Sequence, residues 1–162
     1  LGRDGTPLDA WRVFRLATGL VGLCNSLARL HDQEVAHRYL TPAGIIMLDS
    51  CRQLMLRDLG LAAREPEPGE GPVDYQAPEQ RRRSYRRPGP CTDVYQLAAV
   101  VYHLVAGYPP NIGRVLPLRA YAPDVPEQLS RAVDTALASG PDERSDIRSL
   151  ASMLRAASGK LR

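Results

Sequence analysis

His37, Arg38 and Tyr39 stand in a row at the head of HRYLTPAGIIML, and Asp58 follows in LRDLGLA. Imidazole, guanidinium, phenol and carboxylate are the groups that move protons or hold phosphates and metals. The chemistry open to them here is narrow. A phenol titrates near ~10, so at neutral pH Tyr39 is a poor base. Asp58 alone makes a poor magnesium site, since that ion is usually held by carboxylates together with phosphates. Cys24, Cys51 and Cys91 are far apart, odd in number and without metal-type spacing, and read as reduced thiols of a cytoplasmic protein.

A second group is purely cationic. Arg81, Arg82, Arg83, Arg86 and Arg87 put five arginines into seven residues. Such a run suits an acidic protein partner, a phosphate group or nucleic acid, and Tyr85 within it has a face on which a base could stack. The plainer alternative is a solvated loop, balanced by the acidic stretch at 65–74. The formal net charge of the whole chain is only +3, so nucleic acid is the weaker of these readings.

The elements that must position these residues are mostly helical. Residues 8–31 carry Leu16, Leu20, Leu23, Leu27 and Leu30 at three- and four-residue steps, which predicts one long amphipathic helix. Thr6 suits its cap and Pro7 its first turn. IIML and QLMLR are short strands, and DSCR between them has turn chemistry, so residues 45–57 are expected to form a small hairpin. REPEPGEGPVD, residues 64–74, has three prolines and two glycines and reads as a loop. Residues 92–106 form a helix so apolar that it must be deeply buried, with Thr92 as its cap and Gly107 as its stop. This run is too short to span a bilayer and contains His103. Residues 111–125 are broken by proline. Two amphipathic helices follow at 126–139 and 146–158, the second capped by Ser145. The length of 162 residues suits one domain. The chain opens at Leu1 without a methionine and shows no signal peptide, so a piece of something longer is expected.

Five segments together resemble protein kinases. HRYLTPAGIIML is similar to the catalytic loop, whose pattern is H-R-D-L-K-P-x-N before an apolar strand. LRDLGLA resembles the magnesium-binding D-F-G segment, with Asp58 and Gly60 in its places. YQAPEQ contains A-P-E. CTDVYQLAAVVYHLVAGYPP resembles the central helix, with Asp93 at its start. GPDERSD matches the turn that supplies a late arginine, Arg144. The resemblance implies a mainly α fold: the large, C-terminal lobe of a Ser/Thr-kinase-like domain with a small β-hairpin, over residues 1–162. The small lobe, with its Gly-rich loop and strand lysine, is absent from these residues.

The same resemblance defines what is missing. In the family the loop aspartate orients the substrate hydroxyl and accepts its proton; Tyr39 stands there. The family lysine two positions on is Thr41, and the metal-binding asparagine is Gly44. What remains has architectural roles in the family. His37 packs beneath the D-F-G segment, Asp93 accepts hydrogen bonds from the catalytic-loop backbone, and Glu79 and Arg144 form a buried ion pair. Arg38 in many kinases meets an activation-segment phosphate, yet residues 59–79 contain no serine or threonine and Tyr75 as their one hydroxyl. Either Arg38 meets a fixed charge on Glu65, Glu67, Glu70 or Asp74, or the acidic loop is solvated and unpaired, which its composition favours.

The expectation is therefore a pseudokinase-like module in the cytoplasm. It is not an enzyme, holds no cofactor or metal, and serves as a protein-binding or regulatory scaffold. The alternatives are part of an unusual kinase whose small lobe lies upstream, and an arginine-rich domain that contacts nucleic acid. No membrane role is expected.

Overall fold

In a computed structural model the protein is described over residues 10–48, 53–81, 86–111 and 113–159. Helix α1 runs Ala10–His31, and its leucines do what their spacing demands: Leu16, Leu20, Leu23 and Leu27 are buried and Leu30 packs at the edge. The expected cap at Thr6 and Pro7 lies outside the described residues. The chain then forms a tight turn at Pro42–Gly44 and two strands, β1 Ile45–Leu48 and β2 Gln53–Leu56. They pair antiparallel, with Ile45 opposite Leu56 and Leu48 opposite Gln53. The turn that joins them lies outside the described residues.

A loop, residues 57–77, leads through a single helical turn at Val73–Tyr75 to the short helix α2, Pro78–Arg81. Helix α3, Pro90–Ala106, is buried nearly all round, from Val94 through Leu97, Val100 and Val101 to Val105. A helix apolar on every face has to be the centre of the core. Its cap differs from the expectation. Gly89 is the N-cap and Pro90 the first helical residue, while Thr92 lies one turn inside. The Thr92 hydroxyl accepts from the Gly89 N–H at 2.9 Å and donates to Glu79 Oε1 at 2.9 Å. Gly107 stops the helix at φ 89°, a left-handed conformation that glycine adopts without steric cost, and its N–H donates to the His103 carbonyl.

The described residues between 111 and 125 are irregular apart from one turn at Leu118–Ala120, as proline predicts. Helices α4, Glu127–Ala136, and α5, Ile147–Gly159, close the fold, with α5 packed along α1. Asp146, not Ser145, caps α5: its Oδ1 accepts from the Ser149 N–H at 2.7 Å. The Ser145 hydroxyl is buried and has no partner among the described residues. The architecture is mainly α with one small hairpin. No helix among the described residues is long and apolar enough to cross a membrane.

Candidate functional site: a tethered loop between the hairpin and the central helix

The site is built around Asp93, fully buried in the first turns of α3. Its carboxylate accepts from the backbone N–H groups of His37 at 2.8 Å and Arg38 at 2.7 Å. His31, at the end of α1, brings Nε2 to 2.9 Å from the same carboxylate. One acidic side chain thus ties α1, the loop and α3 together. His31 was not singled out in the sequence; its signal was its place at the end of a long helix, where imidazole suits the helix dipole.

His37 is buried, with a proton placement set by its partners. Nδ1 accepts from the Tyr39 N–H at 3.2 Å, so the ring proton lies on Nε2, which faces the Asp58 carbonyl at 3.2 Å. Gly60, at φ 56°, turns the chain directly above this ring. A Cβ there would come within 2.5 Å of His37 Nδ1, so no other residue fits. The Leu61 N–H then donates to the His37 carbonyl at 2.8 Å. Asp58 itself is exposed, and its Oδ1 accepts from the Gly60 N–H at 2.8 Å.

Arg38 adopts φ 59°, an uncommon conformation for a side chain of this size. It is held there from every side. Its carbonyl accepts from the Gln80 and Gln96 amides at 3.0 and 3.2 Å, and its guanidinium is buried. Here the composition-based preference for an unpaired acidic loop is corrected. Arg38 NH1 donates to both oxygens of Glu70 at 2.9 Å, and NH2 donates to the Leu61 and Arg64 carbonyls. A buried cation without a counter-charge is too costly to persist, and Glu70 supplies it; composition could not weigh that tertiary demand. Glu65, Glu67 and Asp74 stay exposed.

Three positions of the loop give no such service to a reaction. The Tyr39 side chain is 45% exposed. The Thr41 hydroxyl accepts from the Gly44 N–H at 3.0 Å, so these two residues close the turn before β1. Among the described residues no three histidine, cysteine or acidic side chains converge on a metal position.

Below the loop, Glu79 and Arg144 face each other with two hydrogen bonds, 2.8 and 2.9 Å, both side chains almost wholly buried. Arg144 also donates to the carbonyls of Ala138, Cys91 and Ser139, which uses every N–H of the guanidinium. Its plane lies 4.9 Å from the centre of the Tyr95 ring. Burial alone pushes the Glu79 carboxyl up, but Arg144, joined by a backbone hydrogen bond and the Thr92 hydroxyl, outweighs it and holds Glu79 below its usual 4.5. Tyr75 is buried with its hydroxyl 2.5 Å from His103 Nδ1. Burial also pushes the Cys24 thiol up to about 12, which leaves it inert.

Of the basic run, Arg81 donates to the Val73 carbonyl, Arg86 reaches Asp142 and Arg87 is exposed. Arg82 and Arg83 lie outside the described residues.

No family model matches the chain. Among curated proteins it is 31% identical to the serine/threonine-protein kinase PknB of Mycolicibacterium smegmatis, over 75% of this chain and 22% of that protein. It is 30% identical to the serine/threonine-protein kinase PkaA of Streptomyces coelicolor, over 82% of this chain and 27% of that protein. A mouse protein, the inactive serine/threonine-protein kinase PLK5, is 34% identical over 56% of the chain and 16% of its own length. The chain thus spans about a quarter of the length of the first two relatives. Among solved structures, the kinase domain of Mycobacterium tuberculosis PknI matches with a TM-score of 0.71 and 25% identity, over 97% of this chain and 58% of that domain. These relatives correct one expectation. A chain set apart from enzymes is overturned by relatives named as serine/threonine-protein kinases, which point to kinase-like enzymes.

Proposed function

Because the chain belongs to the protein kinase-like superfamily and is built as its larger lobe, we propose that it serves its whole protein as a protein-binding, regulatory lobe. The reading takes residues 1–162 as one domain and places it in the cytoplasm on its cysteine usage. The observation that carries it is a division within one loop. The residues with tethering roles, His37, Arg38 and Asp93, are buried and hydrogen-bonded. The positions where the family performs its chemistry hold an exposed phenol, Tyr39, and a turn-closing pair, Thr41 and Gly44. What is kept rigid is the frame of a surface, which is what a binding lobe needs. Arg81, Arg82, Arg83, Arg86 and Arg87 form its candidate contact for an acidic protein partner.

A second reading is the large lobe of a working kinase with an altered catalytic loop. It is favoured by the names of the relatives and by Asp58, whose carboxylate is still exposed. An arginine-rich contact for nucleic acid stands third and rests on the basic run alone.

The test uses the intact protein. Charge reversal at Arg86 and Arg87 should release an acidic partner recovered with it from its own cells, while Asp58→Asn should leave that partner bound. Phosphate transfer from ATP that is abolished by Asp58→Asn would instead establish the second reading. Binding that follows added DNA or RNA and falls steeply with salt would establish the third.

A further inference from the structure

The stretch between Leu61 and Gly71 has little to hold it in place. It is rich in proline, glycine and glutamate, and residues 63–65 and 67–69 are exposed. An ordered segment must offset the conformational entropy it gives up, and here most residues are exposed and none is fully buried. The offset comes from two buried side chains: Gln76 Nε2 donates to the Gly69 and Glu70 carbonyls at 2.9 Å, and Arg38 does the rest. The Arg38 guanidinium gathers the Leu61 and Arg64 carbonyls on one nitrogen and both oxygens of Glu70 on the other. It therefore closes both ends of the segment at once. Glu70 extends the closure by accepting from the Glu67 N–H at 3.0 Å, and the Gly69 N–H donates to the Gln80 carbonyl at 2.7 Å.

We propose that Arg38 and Glu70 form a permanently closed latch, which fixes residues 61–71 against the loop carrying Tyr39 with no covalent modification. Two further observations support it. Residues 59–79 carry no serine or threonine, and their single hydroxyl, on Tyr75, is buried against His103. The pair is also dry: the Arg38 side chain is 3% exposed and that of Glu70 9%. Charge-assisted, two-pronged bonds shielded from water are among the stronger polar contacts a protein makes. The closed segment walls a cleft of about 290 Å³ between Tyr39, Arg64, Glu67 and Gly69. The latch thus presents a preformed concave surface. It does not depend on whether the whole protein transfers phosphate.

Amide hydrogen exchange on the intact protein tests this. Glu70→Gln keeps the shape of the side chain and removes its charge. Exchange across residues 61–71 should then rise about tenfold or more, while residues 94–106 keep their protection. Glu67→Gln, whose side chain is exposed, should change neither region. A rise under about twofold in Glu70→Gln overturns the latch. If Glu70→Gln loosens the whole lobe, a second variant decides. Arg38→Met with Glu70→Leu removes both buried charges together, which protects the core from an unpaired ion. It still leaves the Leu61 and Arg64 carbonyls without their donor, so 61–71 should exchange fast over a protected core. A protected segment in that double variant overturns the proposal, as does a phosphate on Tyr75 in protein from its own cells.

Discussion

Glu79 and Arg144, sixty-five positions apart in sequence, meet in a two-pronged ion pair beneath the loop with side chains 2% and 0% exposed. The pair fastens α2, which follows the 57–77 loop, to the turn before α5. Glu79→Ala leaves the Arg144 charge buried with only carbonyl partners. Removing one member of a buried pair costs about 3–5 kcal/mol. Chemical denaturation should show a loss of that size. A loss below ~0.5 kcal/mol, typical of a neutral surface substitution, would mean that the pair contributes nothing.

The same pair sets an acid limit. Burial raises the Glu79 carboxyl, but the hydrogen bonds and charge of Arg144 lower it further, so its folded value lies below the usual 4.5. The stability this adds is present in full above 4.5 and is lost as pH falls through the lower folded value. Glu79→Gln should therefore flatten the acid side of the melting-temperature profile below 4.5 and leave its shape near neutrality unchanged. An unaltered acid limb in the variant would contradict this.

Asp93→Ala strips the loop of its anchor. Two buried backbone N–H groups, of His37 and Arg38, and the His31 ring lose their acceptor. Each buried donor left unsatisfied costs about 1–3 kcal/mol. The expected result is a destabilisation of several kcal/mol, with hydrogen exchange rising first across residues 31–41. Asp93→Asn keeps acceptor capacity on one oxygen and should cost less. Equal losses for the two variants would argue against hydrogen bonding as the cause.

Tyr39→Phe removes the hydroxyl and keeps the ring. A tyrosine hydroxyl is a poor proton acceptor at neutral pH, while losing a true general base typically costs about 10²–10⁴ in rate. Partner binding and any phosphate transfer by the intact protein should both stay within about twofold of the parent. A fall of a hundredfold or so in transfer would assign the phenol a chemical role.

Gly107→Ala tests the end of the central helix. At φ 89° a Cβ meets the backbone, and an L-residue held in the left-handed region costs roughly 1–2 kcal/mol. Thermal unfolding should shift down accordingly, with no change in the loop around Tyr39.

Much of the frame was legible in the residues. The leucine spacing of α1 fixed its buried face, and the all-round apolarity of residues 94–105 marked α3 as the centre of the core. Both follow because burial of apolar surface depends on local periodicity, which a sequence displays directly. The motif order likewise located Asp93, Glu79 and Arg144 before any distance was known. Local end effects were less legible. Gly89 displaced Thr92 as a cap and Asp146 displaced Ser145, because several residues near a helix start offer a suitable oxygen or backbone, and only the path of the chain selects one. The loop at 64–74 was the least legible. Its composition is that of a solvated strand of chain, yet two buried side chains hold it, Arg38 through Glu70 and Gln76 through the Gly69 and Glu70 carbonyls. Composition counts charges but not their depth. Which glutamate meets the arginine, and whether water is excluded around the pair, is decided when the chain from Leu61 to Glu70 folds over the guanidinium.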